Sequence, residues 1–159
     1  MAYITLPEYT AIYGAIDSQD FSRLSWEASR LMDIHTTGVD GFKKLSEAIP
    51  TDADDLECVT RCCAALIHLM SEIENAEQSV TGYTVRADGT VVSKAVSSIS
   101  SGSESITFAN GATTALGAAV GDSAAREKMY ADTIKKYLSG VTDANGVNLL
   151  YMGAYPNVL

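Results

Sequence analysis

Cations are the first shortage in this chain: eleven Lys and Arg stand against twenty Asp and Glu, for a net charge of −9. So few cations exclude a general nucleic-acid binder, because phosphate is held by replacing its counterions with Lys and Arg. Long apolar runs are also missing. The longest, residues 64–70, is broken by His68 and falls well short of the roughly 20 residues of a membrane span. The opening Met1-Ala2-Tyr3-Ile4-Thr5 has neither a basic nor an apolar leader region, so no signal peptide is expected. Cysteine is limited to three, two of them adjacent at Cys62-Cys63. An odd, clustered set does not build a disulfide scaffold and fits a reducing interior. What remains is 159 residues, 47% apolar and 19% charged, enough to form a core and expected as one acidic, soluble, intracellular domain, residues 1–159.

Apolar spacing makes the first half, residues 1–80, helical. Pro7 suits the first turn of a helix over residues 7–15 that weakens at Gly14. Asp17 or Ser18 caps the next, in which Phe21, Leu24, Ala28, Leu31 and His35 form one face, with Trp26 and Met32 off it. Thr36-Thr37-Gly38 ends that helix, and a short piece over residues 40–48 leads to Pro50. Thr51 or Asp52 then caps the strongest element, whose stripe is Leu56, Val59, Cys63, Leu66, Met70 and Ile73. Asp54, Asp55 and Glu57 complement the positive end of its dipole.

Beyond Ser79 the composition changes. An Asp88-Gly89 turn between β-branched residues marks a hairpin, and the Ser-rich residues 96–108 read as extended chain or a second hairpin. Together they make residues 81–110 an insertion. Residues 110–121 are a small-residue linker, and a last helix over 122–140 turns Met129, Ile134, Tyr137 and Leu138 inward before Gly140. The expected fold is mainly α: a small helical bundle with a β-hairpin insertion and an extended C-terminal arm, residues 141–159.

Two stretches are nearly uncharged. Residues 95–121 contain only Glu104, and residues 137–159 only Asp143. The second carries Val147, Leu149, Leu150, Tyr151, Met152, Tyr155 and Leu159, too apolar to leave in water. It either folds back on its own domain or docks on another chain. In the first, Val96, Ile99, Ile106 and Phe108 are candidates for contact between subunits, pairing strands of neighbours.

Chemistry-bearing clusters are few. Cys58 and Cys62 lie one helical turn apart and, with Cys63, His35 and His68, could outline a metal or thiol site. There is no CxxC or HxxxH spacing, Cys63 and His68 point to different helix faces, and free cysteine packs as a small hydrophobe. Gly111 to Gly117 is not followed by the Gly-Lys-Thr/Ser of a P-loop. The group Asp52/Asp54/Asp55 lacks the Gly and terminal Glu of a calcium loop, and both it and Glu72/Glu74/Glu77 sit on an expected helix, where a cap and a solvated face explain them. No catalytic, cofactor or metal site is expected.

Four segments in order resemble a known family. Tyr3-Ile4-Thr5-Leu6-Pro7-Glu8-Tyr9, then Ile16-Asp17-Ser18-Gln19-Asp20-Phe21-Ser22-Arg23-Leu24 and Ala28-Ser29-Arg30-Leu31-Met32-Asp33, resemble the start of tailed-bacteriophage head–tail connector proteins. These are also called head-completion or neck adaptor proteins. Cys62-Cys63-Ala64-Ala65-Leu66-Ile67-His68-Leu69 is similar to their second long helix, and the Ser-rich residues 96–108 to their hairpin. Tyr137-Leu138-Ser139-Gly140 with Leu149-Leu150-Tyr151-Met152-Gly153 is similar to the end of members from prophages of Gram-positive bacteria. Pro7 departs from the acidic residue that many members carry there.

The resemblance implies a virion protein without enzymatic activity, assembled in the host cytoplasm into a homo-oligomeric ring, usually of twelve copies. Such a ring sits beneath the portal protein, extends the DNA channel and receives the next neck or tail-completion protein. DNA passes through its lumen without specific binding. The alternative from another class is a small helical enzyme or thiol/metal-binding regulator using Cys58, Cys62, Cys63, His35 and His68.

Overall fold

The longer helices begin at a side chain that satisfies an otherwise unpaired amide at the helix start. In the computed structural model, which describes residues 2–80, 83–85, 91–93, 98–101, 104–107, 119–120 and 122–156, the Glu8 carboxylate accepts from both the N–H and the hydroxyl of Thr5, each at 2.7 Å. This closes the start of α1, Leu6–Tyr13. Asp17 Oδ1 accepts from the N–H groups of Gln19 and Asp20 and starts α2, Ser18–Thr36. Asp52 does the same for Asp54 and Asp55 at the head of α4, Ala53–Val80. Between them lies the short α3, Lys44–Glu47, and α5 runs over Ser123–Leu138. Asp17→Ala should cost about 1 kcal/mol of unfolding free energy in urea titration.

The described residues are mainly helical. They fall into two compact units: Met1–Met70 with Tyr130–Leu159, and Ser71–Met129. In the first, α2 contributes Phe21, Leu24, Ala28 and Met32, α4 contributes Val59, Cys62, Cys63, Leu66 and Ile67, and α5 contributes Ile134 and Leu138. Tyr9 from α1 packs on Phe21 with ring centroids 5.8 Å apart. Buried hydroxyls find local partners: Thr36 Oγ1 donates to the Met32 carbonyl at 2.9 Å, and Ser25 to the Ser22 carbonyl.

The core face of α2 differs from the face expected from apolar spacing. Leu31 and His35 are only half-buried, whereas Met32 and Thr36 are buried. A straight helix at 3.6 residues per turn drifts about 20° per heptad, which moves the inward position one residue on. For the same reason α4 buries Cys62 and Ile67 as well, and Leu56, at the beginning of its stripe, is exposed.

The second unit takes the C-terminal part of α4 and the beginning of α5. Here Ile73 and Ala119 are buried, Arg126 Nη2 pairs with Glu77, and Arg126 Nε donates to the Ala119 carbonyl at 3.2 Å. Strands β1 (Tyr83–Val85) and β2 (Val91–Ser93) align antiparallel, as do β3 (Ser98–Ser101) and β4 (Glu104–Thr107). The Asp88-Gly89 turn and most of the small-residue linker lie outside the described residues.

The chain beyond α5 corrects the expectation of an extended C-terminal arm. Gly140, at φ 88°, ends the helix, and Val141 and Leu149 are buried in the core of the first unit. The chain reverses between them: Asp143 N–H donates to the Val147 carbonyl at 2.8 Å and Leu149 N–H to the Val141 carbonyl at 3.0 Å. Through residue 156 it is a strap folded on its own unit.

Candidate functional site

The sulfur and imidazole groups are those that a thiol or metal site would need. Cys62 and Cys63 are buried completely and Cys58 is half-buried. Cys63 Sγ lies 3.7 Å from Ser29 Oγ, where the small residues of α2 let α4 approach. Burial pushes the Cys63 thiol up to about 11, against the opposing pull of Ser29 and Tyr3. The Cys62 thiol is raised further, by burial first and then by Cys63 and Cys58. His68 stacks on Tyr13, ring centroids 4.3 Å apart and 14° between planes. His35 is half-buried on α2. Among the described residues no three of His, Cys, Asp and Glu converge as metal ligands.

A thiol reacts as its thiolate, so buried, protonated thiols are inert. Cys62 and Cys63 should resist a disulfide reagent at pH 8 in the folded chain and react fully in denaturant. Fast labelling of both in the native state would contradict their placement.

The strap, residues 141–156, is held by polar contacts along its length. Asp143, itself buried, accepts from the N–H groups of Asn145 and Val147 at 2.9 Å and from the Tyr155 hydroxyl at 2.6 Å. Asp55 receives both the N–H and the hydroxyl of Thr142 at 3.0 Å. From the loop before α3, Asp40 accepts the Tyr155 N–H at 2.7 Å, and Phe42 lies against the Tyr155 ring at 4.1 Å. Those amides hold the Asp40 carboxyl below the usual carboxylate range, Tyr155 N–H contributing most and Phe42 N–H next. Beneath the strap, Lys44 is only 1% exposed and its Nζ donates to the Tyr151 carbonyl at 2.7 Å. Gly38 is needed here, because a Cβ would come within 2.8 Å of the Gly153 carbonyl.

These contacts divide the candidate docking residues. Leu149 is in the core and is no surface for a partner; Val147, Leu150 and Tyr155 are half-buried. Tyr151 and Met152 remain exposed. Leu159 lies outside the described residues, as do Val96 and Phe108 of the candidate inter-subunit set. The backbones of Ile99 and Ile106 are partners in the β3–β4 register.

A further surface escaped the sequence reading. The outer face of α2 presents Trp26, Arg30, Asp33, Ile34 and Thr37, which with Ser29 and Lys43 line a cleft of about 370 Å³. Trp26 is 60% exposed, and the Arg30 guanidinium lies over its ring, 5.5 Å from the centroid. The available signal was Trp26 itself, off the core stripe and four residues before Arg30.

Comparison with protein-family models, with curated proteins and with solved structures gives no match. No helix among the described residues is long and apolar enough to cross a membrane.

Proposed function

We propose that this chain is a structural subunit of a tailed-phage neck, forming a ring beneath the portal that joins head to tail and extends the DNA channel. The observation that carries the reading is the order of four family-like segments along one chain: residues 3–33, 62–69, 96–108 and 137–153. A mainly helical fold supports it. The net charge of −9 suits a channel through which DNA slides without capture, since like charges do not bind.

In this reading the protein acts in the virion, at the head–tail interface, with the portal and the next neck protein as partners and no catalytic role. The finer fold assignment belongs to the same proposal: residues 81–110 form a hairpin insertion that meets neighbouring subunits, and the exposed Tyr151 and Met152 of the strap meet the portal. The thiol/metal alternative is disfavoured by the complete burial of Cys62 and Cys63.

Deletion of the coding sequence from the parent phage tests the proposal. DNA-filled heads without tails should accumulate, and the wild-type chain supplied in trans should restore complete particles. Complete infectious particles formed without the chain would overturn it.

A further inference from the structure

The outer face of α2 carries a pattern that the core does not use. Trp26, Arg30, Ile34 and Thr37 recur at helical spacing, and both Trp26 and Ile34 are more than half exposed. Large apolar side chains left in water beside cations mark an interaction surface. Among the described residues neither Arg30 nor Lys43 has a carboxylate within ion-pair distance, while the other arginines of this unit, Arg23 and Arg61, are paired. The one carboxylate in the cleft, Asp33, accepts the Tyr3 hydroxyl. A cationic, apolar cleft is thus left open on a chain of net charge −9.

The same chain carries the complementary surface at the entry to α4. Ile49 and Leu56 are exposed there, flanking an acidic run. Asp52 is spent on capping the helix and Asp55 on Thr142. Asp54 is exposed and lies between Ile49 and Leu56 in the sequence.

We infer that the α2 cleft receives residues 49–56 of a second copy of this chain. Arg30 and Lys43 face Asp54, and Trp26 with Ile34 covers Leu56. Charge sign selects an acidic occupant, and the chain itself supplies one with apolar anchors on both sides of its free carboxylate. Because the two surfaces are unlike, the contact either closes reciprocally into a pair or runs head to tail, as a ring requires. The inference deepens the ring reading and rests on it only for closure at a fixed copy number.

Sedimentation of the full chain with two surface variants tests it. Arg30→Glu with Lys43→Glu spoils the cleft, and Asp54→Lys with Leu56→Ser spoils the segment. Wild type should associate with rising concentration, and each variant alone should associate at least about tenfold more weakly. An equimolar mixture of the two should regain association, because one retains an intact segment and the other an intact cleft. Emission of Trp26, the single tryptophan, should shift on association and not in the cleft variant alone.

A wild-type chain that stays monomeric to about 1 mM, where binding would be worth only about 4 kcal/mol, overturns the inference. So do variants that associate like wild type, or a loss that mixing does not restore. A chain that is monomeric alone yet binds the portal would refute this contact and leave the neck reading standing. Restored association in the mixture with no portal binding would do the reverse.

Discussion

Leu149→Ala should lower the unfolding free energy by about 2–5 kcal/mol, the range for truncating a fully buried leucine. Leu149 is 0% exposed and sits in one cluster with Val141, Ile134 and Leu138. Its N–H also bonds the Val141 carbonyl at 3.0 Å, so the backbone on either side is fixed and the cavity has little means to collapse. Urea denaturation followed by far-UV circular dichroism measures the loss. A free docking arm would behave differently, because an exposed leucine costs within about 0.5 kcal/mol to truncate. A loss that small would contradict the folded strap.

Lys44→Met should cost about 1–3 kcal/mol and make residues 141–156 more sensitive to limited proteolysis. Met keeps an apolar stem of similar volume, so the change isolates the ammonium group. That group donates to the Tyr151 carbonyl, which would be left without it, and lies near Asp143 and Asp40. Burial lowers the Lys44 pKa from its ordinary 10.5, and the two carboxylates oppose the shift. Between the lowered value and 10.5 the unfolded chain binds more protons than the folded one, so this group's contribution to stability rises with pH in that window. The tyrosines have the opposite sign. Burial, with Asp33 beside it, raises Tyr3, and Tyr13 and Tyr155 are raised too, so their contribution is lost as pH climbs above 10. Subtracting the Lys44→Met profile from wild type cancels the tyrosines. The difference should grow as pH approaches 10.5, and a flat difference would show that Lys44 is not buried as described.

Caps and core stripes were readable in the sequence because they depend on near neighbours. Asp17, Asp52 and Gly140 mark their helix ends by local chemistry, and Phe21, Leu24, Val59 and Leu66 recur at helical spacing. A spacing of about 3.5 puts Met32 off the core stripe, whereas the helix keeps about 3.6 and buries it. The strap was not readable, since its partners lie up to 115 residues away, as for Tyr155 and Asp40. The uncharged composition of residues 137–159 showed that it needed cover, but its cover is Lys44, Phe42 and the first unit's own core. Lys44 is the plainest case: a lysine between Lys43 and Leu45 gives no local sign that it will be buried. The α2 cleft was missed for a related reason, because a solvent-facing stripe resembles an ordinary polar face until Arg30 and Lys43 are found unpaired.

Docking of this chain on a portal as a neck subunit is tested most directly by mixing the purified chain with the portal ring of its parent phage. Imaging the gradient-purified complex by electron microscopy then shows whether it has docked. The expected result is a closed ring of this chain on one end of the portal, coaxial with its channel, with acidic side chains toward the lumen. A portal that sediments without the chain, or a bound ring whose lumen is lined by Lys and Arg, would contradict it.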